Sequence, residues 1–266
     1  MKTIRTIREL RAELERVPAG ASVGLVPTMG AFHAGHLALF AAAHDECDVV
    51  VVSLFVNPAQ FGPAEDLDRY PRDEKADAQL AAEAGVDILF APSTDELYPP
   101  GYATWVDVEG VSDGLEGAAR PGHFRGVATV CLKLFNIARP RRAYFGRKDA
   151  QQAAVVQRLV RDLDLGLEIR VVPTVRDADG LAMSSRNAYL SAEERAQAAA
   201  LPRALAAGAA ADRAGDDPVA AAQAALNGLR PEYVEVAELE GERLLLAGVR
   251  VGSTRLIDNV VLEEER

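Results

Sequence analysis

The sequence predicts an α/β fold, in which a parallel sheet carries helices on both faces and a smaller α+β domain follows. First, apolar strand-length runs alternate with amphipathic helix-length segments between residues 23 and 172. Second, the run CDVVVVSLFV at 47–56 is almost continuously apolar, as in a strand covered on both faces. Third, the chain becomes polar after Val175, and this alternation ends there. We therefore expect one domain at residues 1–175 and a second at 176–266.

The predicted elements follow in order. An opening strand and a charged amphipathic helix come first. Further strands are predicted at residues 23–26, 47–56, 86–91, 142–145 and 167–172, and helices from residue 35 and at 73–85, 127–138 and 151–162. Residues 99–117 interrupt the succession of strands and helices. Within them, an alternation of apolar and polar residues predicts an edge strand at 104–108. Parallel strands place ligands outside their carboxyl ends, so the loops there are the candidate site.

The second domain begins with a polar, glycine-containing segment that is typical of a mobile loop. Ser191 is a predicted N-cap with Glu194 at the capping-box position, which predicts an alanine-rich helix over 191–214. A further helix is predicted at 218–229, and strands of a small sheet at 233–239, 243–247 and 251–258.

The loop after the first buried strand carries two histidines, in PTMGAFHAGH. His33 lies in the loop and His36 in the first helical turn, so both rings could reach one phosphate. Free N–H groups and the positive dipole end at a helix start favour an anion. An imidazole can donate to phosphate without a permanent charge, and the helix N-terminus should disfavour an imidazolium at His36, so we expect a neutral donor there. The alternative is one surface histidine and one that packs against the helix.

Composition narrows the class of protein. The 266 residues are 49% hydrophobic and 26% charged, and no apolar run approaches the roughly 20 residues of a membrane span, so no membrane partner is expected. The start lacks a signal-peptide core. Cys47 and Cys131 are expected to be reduced thiols of a cytoplasmic protein, and neither indicates a zinc site. A net charge of −11 argues against a nucleic-acid partner.

Positive charge is nevertheless concentrated in one stretch. Residues 117–148 contain no Asp or Glu but carry eight cations: Arg120, Arg125, Lys133, Arg139, Arg141, Arg142, Arg147 and Lys148. Such a segment could focus a small anion into one cleft. The alternative for residues 139–142 is a solvated basic face at a surface turn.

Taken together, the motifs resemble those of the pantothenate synthetase family. They are PTMGAFHAGH, FVNPAQF, YPR, RPGHFRGV, FGRKDAQQ, VPTVRDADGLAMSSRNAYLS and RLIDN, in that family's order and approximate spacing. The resemblance spans essentially the whole chain. It implies a Rossmann-like domain of the nucleotidyltransferase type and an ATP-dependent condensation of pantoate with β-alanine through a pantoyl adenylate. It also implies a homodimer, Mg²⁺ on the triphosphate with no protein ligand that we can name, and no tightly bound organic cofactor.

The resemblance also assigns candidate residues. Attack of a carboxylate on the α-phosphate needs positive or donor groups around the phosphate, and four from three loops could supply them: His33, His36, Lys148 and Arg186. Gln60 and Gln152 match the substrate-binding glutamines. The ATP-binding positions are Met29, Gly30, Ala31, Phe32, His33, Ala34, Gly35, His36, Gly146, Arg147, Lys148, Asp149, Val175, Met183, Ser184, Ser185 and Arg186. Arg147 stands where the family commonly has an acidic residue, and we interpret it as a solvent-facing charge.

Several alternatives stay open at this point. A nucleotidyltransferase would stop at a nucleotide-linked product, and a regulatory module would bind ATP without turnover. His123 and Arg125 could cap a helix start or contact substrate or an effector. Tyr70 and Arg72 could belong to the wall of the active site or to a dimer contact.

Overall fold

The larger sheet is six-stranded and entirely parallel in the computed structural model, which describes residues 1–63 and 65–262. Its strands are Lys2–Ile4 (β1), Val23–Thr28 (β2), Val49–Leu54 (β3), Ile88–Phe90 (β4), Arg142–Gly146 (β5) and Glu168–Val172 (β6). They pair in the order β1-β4-β3-β2-β5-β6. The predicted α/β class is confirmed.

Helices cover both faces of this sheet. Their bounds are Ile7–Leu14 (α1), Ala34–Glu46 (α2), Glu74–Glu83 (α3), Thr94–Leu97 (α4), Glu116–Ala119 (α5), His123–Ala138 (α6) and Ala150–Asp162 (α7). Apolar residues of α2 and α3 pack on one face, in a cluster with Val26 and Val52. Residues of α1, α6 and α7 pack on the other, in a cluster with Leu25 and Val51. Alternate residues of a strand point to opposite faces, so β2 and β3 contribute to both cores.

The strand order changes direction between β2 and β5. Chain order runs from β2 through β3 to β4 on one side and from β5 to β6 on the other. In open parallel sheets ligands bind at such a switch point, outside the carboxyl ends of the strands. The histidine motif follows β2 and Lys148 follows β5, so both leave the sheet there.

The smaller sheet is antiparallel. Its strands, Arg230–Leu239 (β7), Glu242–Val251 (β8) and Thr254–Val261 (β9), are joined by tight hairpins, and its helices are Ala192–Ala198 (α8), Ala200–Arg213 (α9) and Pro218–Ala225 (α10). Glu240 and Gly241 both have positive φ, as the favoured two-residue hairpin turn requires. The predicted division at Val175 stays a prediction, and residues 263–266 of the second predicted domain lie outside the described residues.

Some predicted elements are corrected by the structure. Residues 104–108, all of them described, form no strand, because the Val106 N–H donates to Thr129 Oγ1 on α6 (3.0 Å) instead of to a sheet. The helix predicted over 191–214 is divided at Ala199, since Pro202 in the next turn lacks an N–H for continuous helical bonding. The predicted cap is confirmed, with Ser191 and Glu194 forming a capping box. Helix α6 begins at His123, four residues before the predicted start.

The two sheets are joined by an apolar contact. Ala150 and Ala154 of α7 cluster with Leu239, Leu244 and Leu246 from the β7–β8 hairpin. Burial of this patch fixes the small sheet against the helix that starts at the switch point. None of the described helices has the length and apolar character needed to cross a membrane.

Candidate active site

The histidine loop, residues 29–36, is fixed in an unusual backbone conformation. Gly30 and Ala31 both have positive φ, at 86° and 52°. The Asp77 carboxylate of α3 accepts the N–H groups of Ala31 (2.9 Å) and Phe32 (2.7 Å). Asp77 is only 3% exposed, so the loop is secured by a buried acceptor. Its place among small apolar residues of α3 was the available indication of this role, and our sequence reasoning missed it.

The two histidines fold back onto the start of α2. His33 is its N-cap, with Nδ1 accepting the Gly35 N–H (3.1 Å), and His36 Nδ1 accepts the His33 N–H (3.3 Å). A Cβ at Gly35 would lie 2.8 Å from the His33 ring, which explains the glycine between them. With both Nδ1 atoms acting as acceptors, a neutral imidazole carries its proton on Nε2.

The pKa values of both rings are lowered, which favours neutral imidazoles near pH 7. Burial lowers the pKa of His36 to about 3, and the neighbouring His33 and Lys148 act in the same direction. Burial, followed by the Lys148 ammonium, also lowers the pKa of His33. The lowered pKa of His36 agrees with the expected neutral state, and burial is its largest cause. The ring centroids are 4.2 Å apart, so the loop presents two adjacent uncharged donors.

Gln60 ends a short 3₁₀ turn after β3 and is buried (7% exposed). Asn57 Nδ2 donates to Gln60 Oε1 (3.0 Å), and Gln60 Nε2 contacts Met29 Sδ (3.2 Å). The Gln60 carbonyl is 2.9 Å from His123 Nδ1 and accepts from Arg120 Nη2 (3.2 Å). The Gln60 amide is therefore held at the carboxyl end of β3, next to the histidine loop.

The lysine loop, residues 146–149, leaves β5 and forms a 3₁₀ turn. Lys148 Nζ lies 3.5 Å from Asp149 Oδ1. Arg147 is partly exposed, and it forms an ion pair with Glu242 on β8 that our interpretation as a solvent-facing charge omitted, with Nη2 donating to Oε1 (3.0 Å). The sequence could not show this partner, because 95 positions separate the two residues.

Two adjacent glutamines follow on α7 and differ in role. Gln151 is buried, and its Nε2 donates to the carbonyls of Val111 (2.9 Å) and Gly114 (2.8 Å), which anchors the irregular segment before α5. Gln152 lines the space between the loops, which Gln151 does not. The sequence predicted Gln152 as the substrate-binding glutamine of the two, and it is Gln152 that lines this space.

The serine loop, residues 175–186, lies beside the histidine and lysine loops and bounds the space between them. Met183 N–H donates to the Val175 carbonyl (3.0 Å), and Ser185 Oγ donates to the Ala31 carbonyl (3.3 Å) of the histidine loop. Arg186 forms a bidentate pair with Asp66, at 2.9 Å for each contact, over the ring of Tyr70. Our expectation of a guanidinium directed at phosphate omitted this partner.

These loops enclose one space, here called the histidine cavity, of about 220 Å³. The predicted residues that line it are Met29, His33, Gly35, His36, Gln60, Gly146, Lys148, Asp149, Gln152, Val175, Met183, Ser184, Ser185 and Arg186. Among the described residues, the predicted positions that do not line it are Gly30, Ala31, Phe32, Ala34 and Arg147. The first four shape the loop, and Arg147 faces the small sheet.

A second space of about 450 Å³, here called the adjoining cavity, lies against the small sheet. The two cavities meet beside the lysine and serine loops and the start of α6, where they share Arg120, His123, Lys148, Asp149, Gln152, Ser184 and Arg186. This arrangement gives the site a mouth that faces the second sheet.

The structure shows the positions of the residues whose roles the sequence left open. Tyr70 is buried in the wall of the histidine cavity, and Arg72 Nη2 donates to the Leu67 carbonyl (2.7 Å). His123 lines the cavity as well, and burial lowers its pKa to about 4. Arg125 lies elsewhere, 5.5 Å from the Trp105 ring centroid and 3.6 Å from Asp107.

The basic stretch is dispersed rather than gathered into one cleft. Arg120 and Lys148 line the histidine cavity. Arg139 and Arg141 are exposed, as the solvated-face alternative predicted, whereas Arg142 is partly buried and pairs with Glu168 (3.2 Å). Two of the eight cations in this stretch therefore line the cavity and could attract an anion into it. Both cysteines are free.

The chain is similar to known proteins over nearly its whole length. Residues 2–261 match the family described as Pantoate-beta-alanine ligase. A relative named pantothenate synthetase from Moorella thermoacetica is 52% identical, covering 99% of this chain and 98% of its own. The crystal structure of pantothenate synthetase from Thermus thermophilus superposes with a TM-score of 0.94 at 47% identity, covering 99% and 100% of the two chains. A Francisella tularensis pantoate-beta-alanine ligase, solved with beta-gamma ATP and beta-alanine, gives 0.87 at 34% identity, covering 100% and 99%.

Proposed function

The chain belongs to the pantoate–β-alanine ligase family and is an ATP-dependent ligase that condenses pantoate with β-alanine, and we propose that it works through a pantoyl adenylate held in the histidine cavity. One observation carries the proposal: two neutral imidazoles, an ammonium and two glutamine amides line a single cavity at the switch point of the sheet. The substrates follow from the family to which the chain belongs, and the residues that would bind them follow from the lining of the cavity.

In the first step, the pantoate carboxylate attacks the α-phosphorus of ATP. A carboxylate–phosphorus bond forms, and the bond to the pyrophosphate oxygen breaks. Charge develops on the phosphate oxygens, where the Nε2–H groups of His33 and His36 and the Lys148 ammonium can donate. The nucleophile is already ionised, so catalysis consists mainly of positioning and charge stabilisation.

ATP is proposed to lie across the three loops. Asp149 would accept from the ribose hydroxyls, the Val175 backbone would contact adenine, and Ser184 and Ser185 would donate to phosphate. Arg186 uses Nε and Nη2 for Asp66, which leaves Nη1 for a phosphate oxygen. Mg²⁺ would enter as part of the substrate MgATP, held by phosphate oxygens and water. The ATP complex of the Francisella tularensis relative supports ATP as the nucleotide.

Pantoate is proposed to lie between Gln60 and Gln152. Neutral amides can hold hydroxyl and carboxylate groups without adding charge. In the second step the β-alanine amine attacks the acyl carbon of the adenylate; a C–N bond forms, AMP leaves with the acyl–oxygen bond pair, and the amine releases a proton. The second sheet and residues 176–266 would close over the mouth that the adjoining cavity leaves open.

The half-reactions can be measured separately. Exchange of labelled pyrophosphate into ATP is expected with pantoate alone, and release of AMP with pantothenate only when β-alanine is added. A nucleotide-linked product that persists with β-alanine would instead indicate a nucleotidyltransferase. Tight ATP binding in calorimetry without exchange or turnover would indicate a regulatory module.

We propose a homodimer formed by residues 1–175, located in the cytoplasm. Trp105 is 40% exposed and stacks on Tyr98, with centroids 6.1 Å apart, in the irregular segment beside α6. Aromatic side chains are enriched at the centres of protein interfaces, so a dimer interface over this segment would cover the Trp105 ring. Sedimentation equilibrium of the chain and of Trp105→Ser is expected to show a dimer and a weakened dimer; a monomeric parent chain would refute the assembly. Two free thiols are typical of a reducing compartment.

A further inference from the structure

The strand β9 carries two buried polar residues that face the loops of the site. Asp258 and Asn259 are 2% and 4% exposed. Buried polar side chains need specific partners, so their contacts show what they are fixed to. Apart from the Asn259 N–H, which Asp258 Oδ1 accepts (2.8 Å), the partners named below lie outside the small sheet, on the lysine and serine loops.

Asn259 is bound to the lysine loop. Its Nδ2 donates to the carbonyls of Arg147 (2.9 Å) and Lys148 (3.0 Å). One amide thereby satisfies two consecutive carbonyls of the 3₁₀ turn that carries the Lys148 side chain. The first residues of α7 lack a side-chain cap, and Lys148 itself contacts only Asp149 among the ion pairs of the described residues. Asn259 is thus a principal restraint on the turn from outside it.

Asp258 is bound to the start of the serine loop. Arg176 donates to it through Nη1 (2.6 Å) and Nη2 (3.0 Å), and Arg176 also forms an antiparallel bridge with Ala182. That bridge aligns Val175 with Met183, two residues of the cavity wall. Adjacent residues of one strand therefore hold both loops, and a shift of β9 would move the two loops together.

We propose that Asn259 is a positioning residue for adenylation, which sets the direction of the Lys148 ammonium through the backbone of the lysine loop, with Asp258 keeping the serine loop in register. This inference rests on the proposed contact of Lys148 with phosphate. It assigns the small sheet a part in the first half-reaction rather than only a covering role. Since catalytic groups must be held within a fraction of an ångström, loss of both hydrogen bonds should reduce the rate without removing any group that touches substrate.

The test compares Asn259→Ala, Lys148→Ala and the double variant in pyrophosphate exchange. Asn259→Ala is expected to lower kcat about 10- to 100-fold with a smaller change in KM for pantoate. The double variant should be no slower than Lys148→Ala, because Asn259 acts through that lysine. Asn136→Ala is the matched control: Asn136 Nδ2 also donates to a backbone carbonyl, but at an exposed position on α6, and its kinetics should be unchanged.

A second readout covers the case in which Asn259→Ala is poorly folded. In the isosteric Asn259→Asp, the carboxylate cannot donate to the two carbonyls. Hydrogen exchange should accelerate at residues 147–149 in either variant while the amides of β2 stay protected. Unchanged exchange there, normal kcat, or multiplicative losses in the double variant would overturn the proposal. Normal exchange activity in Lys148→Ala would remove the proposed phosphate contact itself, whereas a slow Lys148→Ala beside a normal Asn259→Ala would refute only the role of Asn259.

Discussion

The two histidine side chains of the histidine loop are held by neighbours in sequence, whereas Ser185 and Arg186 of the serine loop contact distant partners. His33 and His36 accept N–H groups two and three positions away. Arg186 and Ser185 find their partners 120 and 154 positions away. The first loop therefore offers fixed, uncharged donors, and the second offers a cation whose direction depends on how the chain packs. The difference teaches that one cavity can combine locally specified groups with groups that only the tertiary fold aligns.

The largest expected effect comes from the locally held donor. His36→Ala should lower kcat about 10²–10³-fold, because it removes a preorganised donor to the developing phosphate charge. Circular dichroism should show an intact fold. His44→Ala is the control, since His44 lies exposed on the same helix. Turnover close to that of the parent chain would exclude His36 from the chemistry.

The Asp77 carboxylate is a distant partner of the histidine loop, and removing it tests how much of the loop's order is intrinsic. Asp77→Ala leaves the N–H groups of Ala31 and Phe32 without their acceptor, which should cost about 1–3 kcal/mol in the free energy of unfolding. A displacement of the histidines should lower kcat by up to about 10²-fold. Gln79→Ala, exposed on the same helix, serves as the control. If both variants behave alike in urea unfolding and in turnover, the loop orders itself.

The contrast also marks how far the sequence could predict the site. Strand, loop and helix around His33 and His36 were predictable, because spacing and capping act over a few residues. Gln60 and Lys148 were found through motifs at the carboxyl ends of predicted strands. Asp66 could not be assigned to Arg186, because a salt bridge across 120 positions leaves no local pattern. For the same reason, the Glu242 partner of Arg147 was missed.

The fold shows the same division. The alternation of apolar runs predicted the parallel sheet, whereas its boundaries shifted where side chains from elsewhere intervened. The strand expected at 104–108 fails because Thr129 takes the Val106 N–H, a contact between a loop and a helix 23 positions later. The hydrophobic pattern of those residues is correct, since Val106 and Val108 pack against the core, but a pattern alone does not provide a neighbouring strand.

Burial of His36 predicts a pH dependence of stability. The imidazole titrates near 6.5 in the unfolded chain and at about 3 in the folded chain, so between these values the unfolded state binds more protons. Stability should therefore fall as the pH decreases from 7, by about 2 kcal/mol at pH 5 from this residue. Between pH 7 and pH 5, urea unfolding should show a smaller loss in the free energy of unfolding for His36→Gln than for the parent chain. His44→Gln should lose as much as the parent chain. Equal losses in all three chains would mean that the pKa of His36 is the same in the folded and the unfolded chain.

The smallest expected effect concerns the distant partner of the serine loop. Asp66→Ala removes the carboxylate that orients Arg186, and the guanidinium can then adopt other directions over Tyr70. We expect kcat for pyrophosphate exchange to fall about tenfold, with the KM for pantoate unchanged, because one charge-assisted contact to phosphate loses its preorganisation. Asp68→Ala, exposed in the same segment, should leave both constants unaltered. The opposite result, tighter ATP binding with kcat retained, would show that Asp66 competes with phosphate for Arg186 instead of orienting it. Asp66 would then hold Arg186 away from the nucleotide. The two loops would differ in what their contacts do to ATP binding, and not only in the sequence separation of those contacts.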